Sequence, residues 1–244
     1  MKTFSADLHI HTVLSPCGDL EMSPVNIVNK AKERGLNIIG ITDHNSTRHC
    51  RLIQKLAAEK EIFVLCGAEV TSIEEVHCLC FMPDFNRLDS LQYYLDHHLL
   101  DIKNDVNKFG HQVQVDENEM IIYQEEKLLI QSINQSINQI EAFVHRHDGL
   151  FIPAHINRPA FSIVSQLGFI PEDLNFDALE ISRHTTRDTI RREYPYLWNT
   201  TILKDSDAHF IEDIGLARNY FQIEKPDFEE IKMALKKMEG RFVQ

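Results

Sequence analysis

Short apolar runs recur along the chain and alternate with stretches of helical periodicity. They predict strands at Phe4–Ile10, Asn37–Thr42, Ile62–Ala68, Val76–Met82, Leu150–Ala154, Ala178–Ile181 and Thr201–Lys204. Strand and helix in alternation read as an α/β fold. The first helix is well punctuated: Ser23 is placed to cap it, Pro24 fits its first position, Val25, Ile27, Val28 and Ala31 repeat at helical spacing, and Gly35 ends it.

Between residues 85 and 149 the pattern changes to long polar stretches that predict a helical insertion, with helices over Leu91–Phe109 and Ile133–His147 and a polar segment at His111–Asn118. Ser132-Ile133-Asn134-Gln135 is repeated at once as Ser136-Ile137-Asn138-Gln139, a duplication that suits one helix face and is too short for a repeat architecture. After Phe151 the strand–helix rhythm resumes, and Pro226–Met238 predicts a closing amphipathic helix.

At 244 residues the chain has the length of one substantial domain, and 43% hydrophobic with 25% charged residues is ordinary globular usage. Five cysteines without disulfide spacing point to a reducing compartment. The first residues lack a signal peptide's apolar core, and no apolar run reaches the ~18 residues of a membrane span, so a cytoplasmic protein without a membrane partner is expected. The pattern leaves oligomeric state open. A net charge of -12 argues against broad contact with a phosphate backbone, so no long nucleic acid is expected as partner. A small phosphorylated substrate remains compatible, because bound divalent cations would reverse the local field.

Chemistry-bearing residues cluster where predicted strands finish: His9 and His11, Asp43 and His44, Glu69, His155, and then Asp205, Asp207 and His209. Strand ends of a parallel barrel share one mouth, so these positions predict a single metal pocket. His9 and His11, two apart on a strand, face the same side and can grip one ion; alone, His-x-His is weak, and a surface or core histidine is the commoner case. Asp207-Ala208-His209 repeats the spacing with a mixed donor set suited to Mn, Fe or Zn. His77 sits in the apolar run Val76–Phe81 and Glu69 closes Ile62–Ala68; buried without partners, both would be costly. Arg158, after His155, has the planar fork that suits phosphate, though a surface ion pair explains it as well; Arg183 and His184 carry the same ambiguity. His97, His98, His145 and His147 fall on helical segments and read as solvated or structural.

Together, Asp7-Leu8-His9-Ile10-His11-Thr12, Thr42-Asp43-His44, Gly67-Ala68-Glu69, Val76-His77, Pro153-Ala154-His155 and Ser206-Asp207-Ala208-His209 resemble the PHP (polymerase and histidinol phosphatase) superfamily. The resemblance spans essentially the whole chain as one domain, and six motifs in family order are far more specific than any one. It implies a distorted (β/α)7 TIM-like barrel with two or three divalent ions (Zn, Mn or Fe) at its mouth. By motif, His9, His11, Glu69 and Asp207 would hold one ion, and Glu69, His77 and His155 a second. His44 and His209 would take a third with an acid after the first motif. The family places that acid directly after a serine, whereas Ser15 is followed here by Pro16-Cys17-Gly18-Asp19; Asp19 is the first choice and Cys17 the alternative. Asp43 is expected to orient His44, and Asp205 to play a similar supporting part.

The implied activity is hydrolysis of a small phosphoester by water activated on the ions, with Arg158 and Arg183 gripping phosphate and His184 as a candidate proton donor. The alternatives are a nuclease or oligonucleotide phosphatase, and a non-catalytic metal-binding module.

Overall fold

The computed structural model describes Met1–Gln244. The first third forms β1 (Lys2–Ile10), α1 (Pro24–Glu33), β2 (Ile38–Ile41), α2 (Cys50–Ala58), β3 (Phe63–Thr71) and β4 (His77–Met82). Next come α3 (Phe85–His98), α4 (Val106–Phe109), β5 (Val113–Val115), β6 (Ile121–Gln124) and α5 (Ile137–Arg146). The remainder gives β7 (Leu150–Pro153), α6 (Ile163–Leu167), β8 (Leu179–Ile181), α7 (Arg187–Glu193), β9 (Ile202–Lys204), β10 (Asn219–Ile223), α8 (Phe228–Leu235) and β11 (Phe242–Val243).

The main sheet runs β11-β10-β1-β2-β3-β4-β7. Only β1–β2 and β2–β3 pair in parallel within it; β3–β4, β4–β7 and β1–β10 are antiparallel. The fold is α/β as expected, but in place of a full distorted (β/α)7 barrel the main sheet forms a curled half-barrel. The reason is local: β3 and β4 are joined by the tight turn Ser72–Val76, far too short for the crossover that a parallel pair requires. A separate parallel pair, β8–β9, fills the gap between β7 and β1. Single backbone bonds attach it: Asp177 N–H to Phe151 O and Ile156 N–H to Glu180 O, each 2.9 Å, and a lone bridge of Ile10 to Ala208.

One core cluster fills the inside of the curl, with Leu8, Ile38, Leu65, Leu79, Ile152 and Leu203 meeting over Ile231 and Leu235 of α8. A larger one lies between the sheet and the helices and includes Ile10, Ile39 and Ile41 with Ile27, Ile53, Leu91 and Ile140. Residues two apart on a regular strand face the same way, yet Leu8 joins the inner cluster and Ile10 the outer. The register of β1 against β2 shifts between Asp7 and Ile10, and such a bulge re-aims the side chains beyond it. Gly40 permits the close passage there, since a Cβ on it would lie 2.2 Å from the Leu8 carbonyl oxygen.

The segment from 85 to 149 is less helical than its periodicity predicts. The expected Leu91–Phe109 helix stops at His98, because Leu99 turns extended and bridges Ile133. The polar segment around 111–118 belongs to the β5–β6 hairpin, which docks through Val113 and Val115 on Val13. Of the duplicated tetrapeptides, the second opens α5 with a Ser136–Gln139 capping box, while the first lies in the irregular segment before it, where Ile133 bridges Leu99. No helix is long and apolar enough to cross a membrane.

Candidate metal centre

The strand ends deliver their side chains to one point. His9 lies in β1 with His11 just past it, Asp43 and His44 follow β2, His77 opens β4, His155 follows β7, and Asp207 and His209 follow β9. Glu69, expected just beyond a strand, lies within β3, which continues to Thr71. His155 and Asp207 have positive φ (31° and 53°), a region that His and Asp tolerate better than most residues but at some cost.

Glu69 is the hub. Its Oε1 lies 2.8 Å from His77 Nδ1, 3.1 Å from His155 Nε2 and 3.3 Å from His9 Nε2. Its Oε2 lies 3.0 Å from His44 Nδ1 and 3.4 Å from His11 Nε2. Asp207 Oδ1 stands 3.5 Å from the Nε2 atoms of both His9 and His11.

A surrounding frame aims these rings. His9 Nδ1–H donates to Glu180 at 2.9 Å, and the same carboxylate accepts the His155 backbone N–H at 2.8 Å. Glu180 escaped the motif reading, although an acid inside the apolar run Leu179–Ile181 carries the same signal that singled out Glu69. Asp43, expected to orient the His44 ring, instead accepts from Thr12 N–H (2.7 Å), Thr12 Oγ1 (2.8 Å) and Ser15 Oγ (2.7 Å). Ser15 Oγ in turn faces His11 Nδ1 at 3.1 Å, so Asp43 steadies His11 at one remove. Asp205 holds the Leu8 N–H (2.7 Å) and Asn219 (2.9 Å) and touches no imidazole. Asp7 accepts from the Ser206 and Gly215 N–H groups and ties the Asp207 loop to β1.

The donor set fits divalent cations. With their Nδ1 atoms turned to Glu180 and Ser15, His9 and His11 aim their Nε2 atoms at each other across 3.1 Å, a contact between two lone pairs that needs a proton or a cation. His77 Nδ1 and His155 Nε2 converge on the same Glu69 oxygen and are the nitrogens that could share an ion with it, while the far nitrogens of both rings, His77 Nε2 and His155 Nδ1, are buried without a hydrogen-bond partner. Burial opposes charge on Glu69, yet His77, His9 and His44 hold its pKa well below the usual carboxylate range. Burial likewise opposes charge on His9, but Glu180, Glu69 and Asp207 reverse it and raise its pKa. Burial lowers His77 to about 4, which keeps its ring neutral, the form that ligates metal.

A further group lies at the rim. Cys17 Sγ and ring nitrogens of His11, His44 and His209 fall within 4.8 Å of one another. The first choice for this position, Asp19, is not part of the cluster: its side chain accepts the Glu21 N–H at 2.9 Å in a local turn. Burial pushes the Cys17 thiol up, but His44 and His209 bring it down to about 6.

A cavity of about 620 Å³ opens over the centre, lined by Cys17, Asp207 and His209 on one side and Arg158, Arg183 and His184 on the other. Arg158 Nη1 reaches Asp207 Oδ2 at 2.6 Å while about half of its side chain stays exposed, and Arg183 pairs with Asp213 at 2.8 Å. The helical histidines lie elsewhere: His145 sits between Glu141 and Asp177, while His97 and His147 each bond a carbonyl one turn back.

Three comparisons bear on this arrangement. The chain is 24% identical to YqxK of Bacillus subtilis, an uncharacterised protein, in an alignment covering 99% of the chain and 64% of that relative. Its fold is similar to the lesion-specific endonuclease Q of Pyrococcus furiosus (TM-score 0.78, 21% identity, 99% of this chain and 58% of the other). It is also similar to a Bifidobacterium adolescentis protein provisionally assigned as a metal-dependent phosphoesterase (TM-score 0.62, 20% identity, 96% of each chain). The chain thus spans less than two thirds of the length of YqxK and of endonuclease Q. Endonuclease Q has been solved with a 27-mer duplex bearing an abasic lesion at its active site. That complex overturns the expectation of no long nucleic acid: a protein similar to this chain in fold takes a duplex, and a net charge of -12 is summed over the whole surface, not at the mouth. The PHP domain model matches residues 7–162, well over half of the chain and through the first five of the six motifs, and the protein belongs to the PHP domain family.

Proposed function

We propose that the protein hydrolyses phosphoester bonds, using divalent ions held by His9, His11, Glu69 and Asp207 and by Glu69, His77 and His155. The observation that carries this reading is Glu69, a buried carboxylate whose two oxygens face ring nitrogens of five imidazoles, His9, His11, His44, His77 and His155, at 2.8 to 3.4 Å. Such ions, when bound, supply an activated water and neutralise charge on a phosphoryl group. The chain's own residues do the rest. Glu180 and Ser15 fix the His9 and His11 tautomers, and Asp43 anchors Ser15. Arg158 and Arg183 line the cavity and would bind the phosphoryl oxygens through their forks, and His184, also in its lining, would hand a proton to a leaving oxygen.

Two substrate classes suit the cavity: a small phosphorylated molecule, and a phosphodiester of nucleic acid. The second is favoured by the likeness to endonuclease Q over 99% of the chain. The test is a panel of sugar phosphates, nucleotides, and intact or abasic duplexes, each with Mn²⁺, Zn²⁺ or Fe²⁺, comparing wild type with Glu69→Gln. Metal-dependent turnover lost in the variant is expected, and the substrate turned over identifies the class. Metal uptake without turnover on any substrate would instead favour a non-catalytic metal-binding module.

A further inference from the structure

We propose that Cys17, with His44 and His209, is a thiolate-bearing metal site that gives the rim of the centre a preference for Zn²⁺, Fe²⁺ or Co²⁺ over Mn²⁺. The inference rests on the metal-centre reading above and concerns the ligand at its rim. Four potential donors, Cys17 Sγ and one ring nitrogen from each of His11, His44 and His209, lie within 4.8 Å of one another. Rings pack closely there, with His11 and His209 stacked at 4.1 Å between centroids and His11 and His44 at 4.6 Å. His11 Nε2 already faces the His9–Glu69–Asp207 group, 3.1 Å from His9 Nε2 and 3.4 Å from Glu69 Oε2, which leaves His44 and His209 as the imidazoles to share an ion with the sulfur.

No carboxylate takes the sulfur's place in this cluster. Asp19 bonds the Glu21 N–H, and its own N–H donates to the His209 carbonyl oxygen at 2.9 Å, so that it steadies the loop. The Pro16–Gly18 turn pins Cys17 instead: Gly18 N–H reaches Ser15 O at 2.9 Å, and a Cβ on Gly18 would lie 2.2 Å from the Thr12 carbonyl oxygen. Of the five cysteines, Cys17 alone is not fully buried, and it lines the substrate cavity. A soft sulfur among imidazoles selects borderline cations, whereas a carboxylate would suit Mn²⁺.

The test titrates metal-free protein with Co²⁺ alone, then sets Zn²⁺ against Mn²⁺ in competition. Wild type is expected to develop a near-ultraviolet sulfur-to-cobalt absorption band. Cys17→Ser should lose the band and about one equivalent of metal while the Glu69-centred ions remain. Cys17→Asp should regain the equivalent without the band and shift preference toward Mn²⁺; since it restores metal, it also guards against misfolding as the cause of loss. Cobalt uptake without the band, or a band that survives in Cys17→Ser, overturns the proposal. If the loaded protein still hydrolyses phosphoesters in that case, the catalytic reading stands and only the cysteine site falls. If wild type takes up no Co²⁺, both fall.

Discussion

Glu180 grips His9 Nδ1 at 2.9 Å with one carboxylate oxygen and the backbone N–H of His155 at 2.8 Å with the other, so a single buried acid sets two of the rings that converge on Glu69. Replacing it with Gln keeps the shape but gives His9 a donor and an acceptor to choose between, which unlocks the ring's tautomer. Supporting acids of this kind are worth about 10- to 100-fold in metal affinity. Glu180→Gln is therefore expected to weaken metal binding by that order, as read by competition with a chelating dye. Unchanged affinity would remove Glu180 from the centre's design.

The β5–β6 hairpin is wired to the centre through His49. Val115 N–H donates to His49 Nε2 at 2.9 Å, His49 Nδ1–H to Thr12 Oγ1 at 2.6 Å, and Thr12 Oγ1–H to Asp43 at 2.8 Å. Burial lowers the His49 pKa, so the ring is neutral and the chain of donors is consistent in one direction. His49→Ala should speed amide hydrogen exchange at Val113–Val115 while α1 and α2 remain protected. Uniform exchange across the molecule would show a general loss of fold instead.

Arg158 bonds Asp207 yet keeps about half of its side chain exposed to the cavity. Arg158→Ala is expected to lower kcat/KM on the natural phosphoester by at least about 10-fold, the loss of one charge-assisted contact of ~1.5–3 kcal/mol, while metal stoichiometry is kept. Arg158→Lys should recover part of it. If metal is lost together with activity, Arg158 supports Asp207 and does not grip substrate.

Away from the centre, His145 Nε2 meets Asp177 Oδ2 at 3.0 Å, and Asp177 also accepts the Phe151 N–H at 2.9 Å, so the pair ties α5 to β7. The hydrogen bond to Asp177 chiefly raises the His145 pKa, with Glu141 adding to it against partial burial. The folded state therefore binds the proton more tightly than the unfolded chain. Its contribution is fully present below the unfolded value of about 6.5 and is lost as pH rises through the higher folded value. Denaturant unfolding of His145→Gln should be less pH-dependent from pH 6.5 upward than wild type, with the deficit greatest at the acid end. A deficit that grows with pH would contradict the assignment.

The spacing of ligands was readable because it is local. Two-residue periodicity predicts that His9 and His11 aim the same way, and their Nε2 atoms do meet at 3.1 Å although β1 ends at Ile10; Glu69 and His77 stand out as polar groups inside apolar runs. Glu180 carried that same signal within Leu179–Ile181 and went unread because no motif pointed to it. The helix assigned to Leu91–Phe109 failed for the converse reason: its periodicity continues past His98, but Leu99 gains a bridge to Ile133, a partner far away in sequence.

By itself the sequence determined the types and order of the candidate metal ligands and the alternation of strand and helix, since both follow from composition and short-range period. Tertiary structure alone decided that Leu99 leaves the helix to bridge Ile133, that Asp43 serves Thr12 and Ser15, and that Cys17 and not Asp19 stands beside His44 and His209. The physical reason is that strand order, register shifts and backbone torsions determine where a side chain points. At the Pro16–Gly18 turn, a displacement of two residues along the chain exchanges a sulfur for a carboxylate.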